Sequence, residues 1–219
     1  MKSRTLWSSL LALAVAAPAV AAGAPGDPQQ RHTKADISLA ASVLLNTSAF
    51  GGGWKAASGA GSGRLSCDSA ATPNQSDLVE TGSAAGPLFS HQPYQAVAQS
   101  AQVFTTKAQT DTAWARAMSP KLVICMEEQV ENTSSMGAPV TVTAWYRLRF
   151  APLVQHAAGY RVVALATTGK KTKTTVYLDV LLFGRDRTIT TVVLSALKTP
   201  FSKAFEQGLA RKVAAQLSG

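Results

Sequence analysis

The chain has 219 residues, of which 46% are hydrophobic and 15% are charged. This balance excludes a disordered tail, because it provides enough apolar side chains to fill a core. Lysine and arginine outnumber aspartate and glutamate by 21 to 12, and two cysteines and three histidines leave little for a metal site.

The first 24 residues have the three parts of a secretory signal peptide. Lys2 and Arg4 form a positive start, an apolar stretch runs from Leu6 to Ala17, and small residues follow Pro18. The apolar stretch is too short and too rich in alanine for a membrane anchor, which needs about 20 strongly apolar residues. We therefore expect cleavage at about residues 21–24 and a secreted, extracytoplasmic protein with no transmembrane segment after cleavage.

The next hundred residues give weaker structural patterns. Residues 25–34 contain two prolines and predict a flexible leader, and a helix is expected from Asp36, as its cap, to Asn46. The Gly- and Ser-rich segment 49–63 predicts a mobile loop, within which Trp54 is expected to dock onto the core. The strands expected after this loop are 77–89 and 100–105.

Two helices are expected on either side of Ser119 and Pro120. Trp114 lies on the apolar side of the first helix, and Pro120 suits the first position of the second helix, with Ser119 as its cap. The predicted buried face of the second helix consists of Leu122, Cys125, Met126 and Val130.

The carboxyl-terminal part has the clearest pattern. From Val140 to Phe150 apolar residues alternate with more polar ones, which is typical of a strand with one buried face, here the even-numbered positions. A final helix is expected after Thr199 and Pro200, with apolar residues at every fourth position. Between them, short links predict antiparallel strands over 160–168, 174–183 and 188–197.

These elements predict an α+β fold in which an antiparallel sheet, with a late four-strand meander, carries helices on one face. Residues 35–219 form a single domain in this interpretation, because no repeat or linker divides them. Cys67 and Cys125 are predicted to form one disulfide, because an even number of cysteines in an exported protein favours pairing. A redox-active pair is the alternative, although such pairs normally have the C-x-x-C spacing.

The sequence contains no catalytic or metal-binding motif, so neither a cofactor nor a metal is expected. The three histidines, His32, His91 and His156, have no nucleophile motif beside them and are interpreted as solvated loop side chains. The chain is therefore interpreted as a non-enzyme; an unrecognised hydrolase is the alternative if His91 or His156 meets a serine or glutamate. One acidic cluster is interpreted as a solvated helix face: Glu127, Glu128 and Glu131.

Basic charge is concentrated near the carboxyl terminus. Residues 25–139 contain seven basic and nine acidic side chains, whereas residues 140–219 contain twelve basic and three acidic ones. Arg147 and Arg149 share a predicted strand face with Trp145, and Arg161 is expected on the neighbouring strand. This surface is a candidate for an anionic partner, such as a lipid headgroup or an envelope polymer; nucleic acid is the least favoured partner outside the cell. The alternative is a solvated sheet face.

Several segments, taken in order, resemble exported actinobacterial proteins of uncharacterised function. They are ADISLAASVLL, Gly53-Trp54, SAQVFTT, PKLVIC, VYLDVLL and the closing PFSKAFEQGLARKVAAQL. The order is also similar, more distantly, to the extracellular sensor domains of mycobacterial serine/threonine kinases. That resemblance implies a disulfide-stapled fold of helices and sheet with a cleft for a ligand, and it supplies no catalytic residues.

The leading hypothesis is an exported, non-enzymatic binding or sensor-like module whose ligand is small or lipid-like. The alternative binding hypothesis is a cell-envelope adhesion module, which uses the basic surface to bind an anionic lipid or polymer.

Overall fold

The structure is a computed structural model, and it describes residues 26–60, 73–132, 139–167 and 172–219. The helices in these ranges are α1 (Lys34–Ser42), α2 (Lys107–Ala117), α3 (Lys121–Asn132) and α4 (Lys203–Gln216). The strands are β1 (Gln29–Gln30), β2 (Trp54–Ala60), β3 (Val79–Ala85), β4 (Pro87–His91), β5 (Gln95–Phe104), β6 (Val140–Leu148), β7 (His156–Thr167), β8 (Lys173–Arg185) and β9 (Thr188–Leu197).

The strands form one mostly antiparallel sheet, so the predicted α+β class is confirmed. The main order is β1-β3-β5-β9-β8-β7-β6, and β4 pairs with both β2 and β5. Strands β6 to β9 are antiparallel neighbours in chain order, which confirms the four-strand meander. The single strand expected over 77–89 is split into β3 and β4, which both pair with β5; between them the Gly86 N–H donates to the Gln99 carbonyl at 2.9 Å.

Helices pack on both faces of the sheet, so the prediction of one helical face is wrong. On one face, called the α4 face, Leu209 of α4 packs with Leu181, and α1 lies on the same side. On the opposite face, called the α3 face, Met126 of α3 packs with Val180. Val180 and Leu181 are adjacent residues of β8 and are both 0% exposed. Because successive side chains of a strand point to opposite faces, this strand needs cover on both sides.

A bulge in β6 overturns the prediction that its even-numbered positions share one buried face. The register with β7 shifts between Val142 and Ala144. One extra residue exchanges the faces of every side chain that follows it. As a result, Tyr146 no longer shares a face with Val142, and it is 56% exposed.

The segment predicted as a mobile loop contains an ordered strand, so that prediction is wrong for residues 54–60. Strand β2 pairs with β4 in antiparallel register. Trp54 is 9% exposed and its ring lies 5.2 Å from that of Phe50 and 5.7 Å from that of Phe205. The predicted docking of Trp54 onto the core is therefore confirmed.

Helix starts differ from the predicted ones by a few residues. Thr33, rather than Asp36, caps α1, because its side chain accepts a hydrogen bond from the Asp36 N–H. Helix α4 is capped by Ser202, three residues after Thr199. Within the predicted flexible leader, β1 pairs in parallel with β3 through Gln29 and Gln30.

Two predictions fall on residues that the structure does not describe. The signal peptide, residues 1–24, and Cys67 lie outside the described ranges, so cleavage and the Cys67–Cys125 disulfide stay predictions. Cys125 is 5% exposed, on the predicted buried face of α3 with Leu122, Met126 and Val130. Among the described helices, none is long and apolar enough to span a bilayer.

Candidate functional site

A cleft of about 260 Å³ opens on the α3 face of the sheet, between the end of α2 and strands β6 and β7. It is slightly smaller than the usual site for a drug-sized ligand. Its described lining includes Trp114, Met118, Arg147, Gln155, His156 and Tyr160. The cleft therefore combines aromatic walls with a cationic and an amide side chain.

His156 forms a fixed part of the cleft wall. Its Nε2 atom lies 2.7 Å from Oδ1 of Asp111 on α2. The imidazole also stacks on the indole of Trp114, with ring centroids 4.8 Å apart and planes inclined by 19°. Its side chain is 21% exposed. Because one partner fixes the ring nitrogen and the other fixes the ring plane, the orientation of His156 is set before any ligand binds.

Asp111 receives several donors, and its negative charge is therefore largely compensated within the protein. Lys107 Nζ donates to its Oδ2 at 2.7 Å, and Gln155 Nε2 donates to its Oδ1 at 2.8 Å. The hydrogen bond from the His156 ring, followed by that from the Lys107 ammonium, lowers the pKa of Asp111 below its ordinary value. Asp111 thus remains a carboxylate at neutral pH and acts as an anchor for the cleft wall.

A glycine on the neighbouring strand makes room for this arrangement. Gly184 of β8 is the direct cross-strand partner of His156. A Cβ atom at Gly184 would lie 3.2 Å from the His156 Cβ and 3.5 Å from Cε3 of Trp114. The missing side chain therefore allows the stacked rings to lie against the sheet.

Arg147 and Tyr160 form the other side of the cleft. They are direct cross-strand partners on β6 and β7, and both line the cleft. Arg147 is exposed and Tyr160 is half-buried. Among the described residues, neither the guanidinium nor the phenol hydroxyl has a hydrogen-bond or ion-pair partner. The cleft thus presents polar donors that the protein itself does not use.

The sheet register separates the four residues predicted to form an anion-binding surface. Trp145 lies opposite Val162 and shares the α3 face with Arg147, which agrees with the predicted shared face. Arg149 follows the end of β6 and is exposed. Arg161 pairs with Tyr146 and therefore points to the α4 face. Because of the bulge, Arg161 is not part of a surface with the other three.

Arg161 belongs to a buried ionic cluster with Asp179 and Glu206. Its Nε and Nη2 atoms donate to the two carboxylate oxygens of Asp179 at 2.6 and 2.8 Å, and Nη2 also donates to Glu206 of α4. The Asp179 side chain is 0% exposed, and that of Glu206 is 7% exposed. Burial raises the pKa of Asp179, and burial together with the Asp179 charge raises the pKa of Glu206. The cluster fastens α4 to the sheet.

The interpretation of the histidines as solvated loop side chains is wrong for His91 and His156, which are half-buried on β4 and β7, whereas His32 is exposed in the segment before α1. His32 Nε2 lies 3.1 Å from Oε1 of the buried Glu80. The His91 ring lies 5.3 Å from that of Trp54. The cleft residue His156 begins β7, and its carboxylate partner is 45 positions earlier in the chain. Because residues 157–159 are Ala-Ala-Gly, with no alternation of polar and apolar side chains, the sequence pattern does not indicate an ordered His156.

The Asp111–His156 pair of the cleft is an arrangement that also occurs in catalytic sites. An aspartate–histidine pair supports catalysis when the imidazole also activates a nucleophile. The described residues that line the cleft include no serine, threonine, cysteine or glutamate. In the described part of the chain, histidine, cysteine, aspartate and glutamate also form no group of three that could hold a metal ion.

Comparison with solved structures shows a distant resemblance. No family model and no curated protein matches the chain. The chain is similar to the extracellular domain of PknH from Mycobacterium tuberculosis, with 10% identity and a TM-score of 0.46. The match covers 84% of this chain and 97% of that one. It agrees with the distant resemblance to kinase sensor domains stated from the sequence, and at this level it assigns no role to any residue.

Proposed function

We propose that the protein is an exported, non-enzymatic binding or sensor-like module that holds a small or lipid-like ligand in the cleft between α2 and strands β6 and β7. The observation that carries this proposal is the combination of a preset aromatic wall, Trp114 with His156, and the unused donors of Arg147 and Tyr160 on the facing side. A few polar groups of fixed orientation beside aromatic surface are typical of ligand sites.

The test is a thermal-shift screen of envelope lipids and small anions, followed by amide NMR titration of each compound that raises the melting temperature. A ligand that binds only the native state stabilises it in proportion to the logarithm of its concentration above Kd. We expect the largest chemical-shift changes at residues 155–160 and at Trp114 and Met118. Shifts confined to the α4 face, or no binding by any compound, would refute the proposal.

An adhesion function is the second candidate, favoured by the exposed end of β6. Trp145 and Tyr146 are 50% and 56% exposed, Arg147 lies beside them on β6, the edge strand of the sheet, and Arg149 follows the end of that strand. Arginines next to interfacial aromatic residues suit an anionic lipid surface or polymer. Binding to anionic vesicles should then fall steeply with salt, and the double variant R147Q/R149Q should weaken it.

A hydrolase is the third candidate and has the least support. The Asp111–His156 pair could orient a general base, but no nucleophile accompanies it among the described lining residues. We expect no turnover of short-chain nitrophenyl esters by the wild-type protein. Turnover that is lost in H156Q and retained in H91Q would favour this candidate over the binding module.

Export and the disulfide complete the proposal. Secretion by a cleavable signal would yield a mature chain that begins at about residue 22–25, which intact mass measurement of the secreted protein can check. Cys125 is buried and is not a free thiol, which supports a bond with Cys67, the other cysteine of the chain. Non-reducing peptide mapping should recover the two cysteines in one linked peptide, and two alkylated free cysteines would refute the bond.

A further inference from the structure

The unused donors of Arg147 and Tyr160 lie next to each other in the cleft. In direct cross-strand pairs the Cβ atoms lie about 5 Å apart, so the guanidinium and the phenol hydroxyl can reach one ligand group together. Asp111, the carboxylate that holds His156 in the cleft wall, is already bonded to Lys107 and His156. An anionic group at Arg147 therefore meets an uncompensated positive charge and little repulsion.

An apolar surface continues from these donors along β6. Trp145 shares the α3 face with Arg147, two residues away, which is about 7 Å along a strand. Its cross-strand partner Val162 is 1% exposed, whereas Trp145 itself is 50% exposed. The indole thus forms a half-exposed apolar shelf beside the polar donors.

We propose that the ligand is a single amphipathic anion, with a phosphate or carboxylate group held by Arg147 and Tyr160 and an apolar chain lying across Trp145. This inference rests on the proposed binding function and specifies its ligand class. The size of the cleft, about 260 Å³, suits a headgroup, so the chain of the ligand must lie outside it. The half-exposed Trp145 is the apolar surface next to the cleft opening on β6.

The test compares three probes by isothermal titration and amide NMR: octyl phosphate, inorganic phosphate and octyl glucoside, each below its micelle concentration. Octyl phosphate should bind at least about tenfold more tightly than either of the others, since burial of about two methylene groups or one charge-assisted hydrogen bond suffices for that ratio. Equal affinity for octyl glucoside and octyl phosphate would refute the anionic ligand class. If the neutral probe still shifts the cleft resonances, the proposed binding function survives that result.

Matched variants locate the two parts of the ligand. R147Q should remove the preference for octyl phosphate over octyl glucoside, and W145A should remove the preference for octyl phosphate over inorganic phosphate. R149Q and Y146A change neighbouring side chains that do not line the cleft, and they should bind octyl phosphate like the wild type. A loss in R149Q as large as that in R147Q would indicate a diffuse charged surface and overturn the inference.

Two further outcomes separate the inference from its alternatives. Binding to phosphatidylglycerol vesicles without binding to monomeric octyl phosphate would overturn it in favour of the adhesion candidate. If neither the three probes nor any compound of the screen shifts a resonance of the cleft, both the inference and the proposed function are refuted. Thermal melts of every variant establish that the variants are folded at the titration temperature.

Discussion

Replacement of Arg161 by methionine should destabilise the protein strongly at neutral pH. Asp179 and Glu206 have 0% and 7% exposed side chains, and in the described structure Arg161 is the cation that bonds to both. Removal of one partner from a buried ionic group costs about 3–5 kcal/mol, because the remaining charges have lost their water without compensation. Since small domains have free energies of unfolding of about 5–15 kcal/mol, this is a large fraction of the total.

The loss should depend on pH in a defined direction. Burial raises the pKa of both carboxyl groups in the native state, and removal of Arg161 raises them further. The native state then holds protons that the unfolded chain, with carboxyl pKa values of about 4, has released. The contribution of these two carboxyl groups to the free energy of unfolding is fully present below about pH 4, and it is lost as the pH rises through their raised native pKa values. The destabilisation by R161M should therefore be at least about 1 kcal/mol smaller at pH 4.5 than at pH 7.

Urea unfolding of the mature chain, followed by tryptophan fluorescence at both pH values, measures these differences. The triple variant R161M/D179L/E206M serves as the control, because apolar replacement of a whole buried ionic group is often neutral or stabilising. It should be more stable than R161M at pH 7. A change below about 1 kcal/mol in R161M, or a triple variant less stable than R161M, would refute the reasoning.

Three further predictions concern stability. The free energy of unfolding of E206Q should fall less between pH 5 and pH 8 than that of the wild type, because the variant lacks the Glu206 carboxyl with its raised native pKa. The same pH profile for both proteins in urea unfolding would contradict this. Q99L should lower the free energy of unfolding by about 2–4 kcal/mol, because the buried Gln99 amide bonds to both the N–H and the carbonyl of Leu45. The control Q95L, on the same strand, should lower it little, and equal urea midpoints for the two variants would contradict the prediction. G82A should lower the melting temperature, because the added methyl group would overlap the backbone of Asp36. G52A is the matched control, since a methyl group at Gly52 would have open space around it.

The meander was predictable because its information is local. Alternating or continuous apolar runs, separated by short turn segments, determine both the strands and their antiparallel pairing. The docking of Trp54 followed from the same kind of reasoning, since a large aromatic side chain rarely stays in solvent. By contrast, residues 56–60 of β2 are small and have low strand propensity, and they form a strand because β4 pairs with them.

The candidate site was not predictable, because it depends on one local irregularity and one long-range contact. The bulge after Val142 leaves no mark in the composition of β6, yet it moves Arg161 away from Trp145 and Arg147. The contact between Asp111 and His156 joins residues 45 positions apart on a helix and a strand. Sequence patterns describe each of these elements but not the way α2 packs on the sheet.

The ionic contacts also show where the basic excess of the carboxyl-terminal part is available for binding. Two of its arginines are paired with carboxylates: Arg161 with the buried Asp179 and Glu206, and the partly exposed Arg187 with Asp36, which lies 2.6 Å away on α1. The acidic excess of the earlier residues thus compensates part of the later basic charge. Arg147 and Arg149 have no such partner among the described residues, and of these two only Arg147 lines the cleft. A ligand that exploits the charge asymmetry therefore has its strongest contact at Arg147, which is why R147Q and R149Q, identical in chemistry, should differ in their effect.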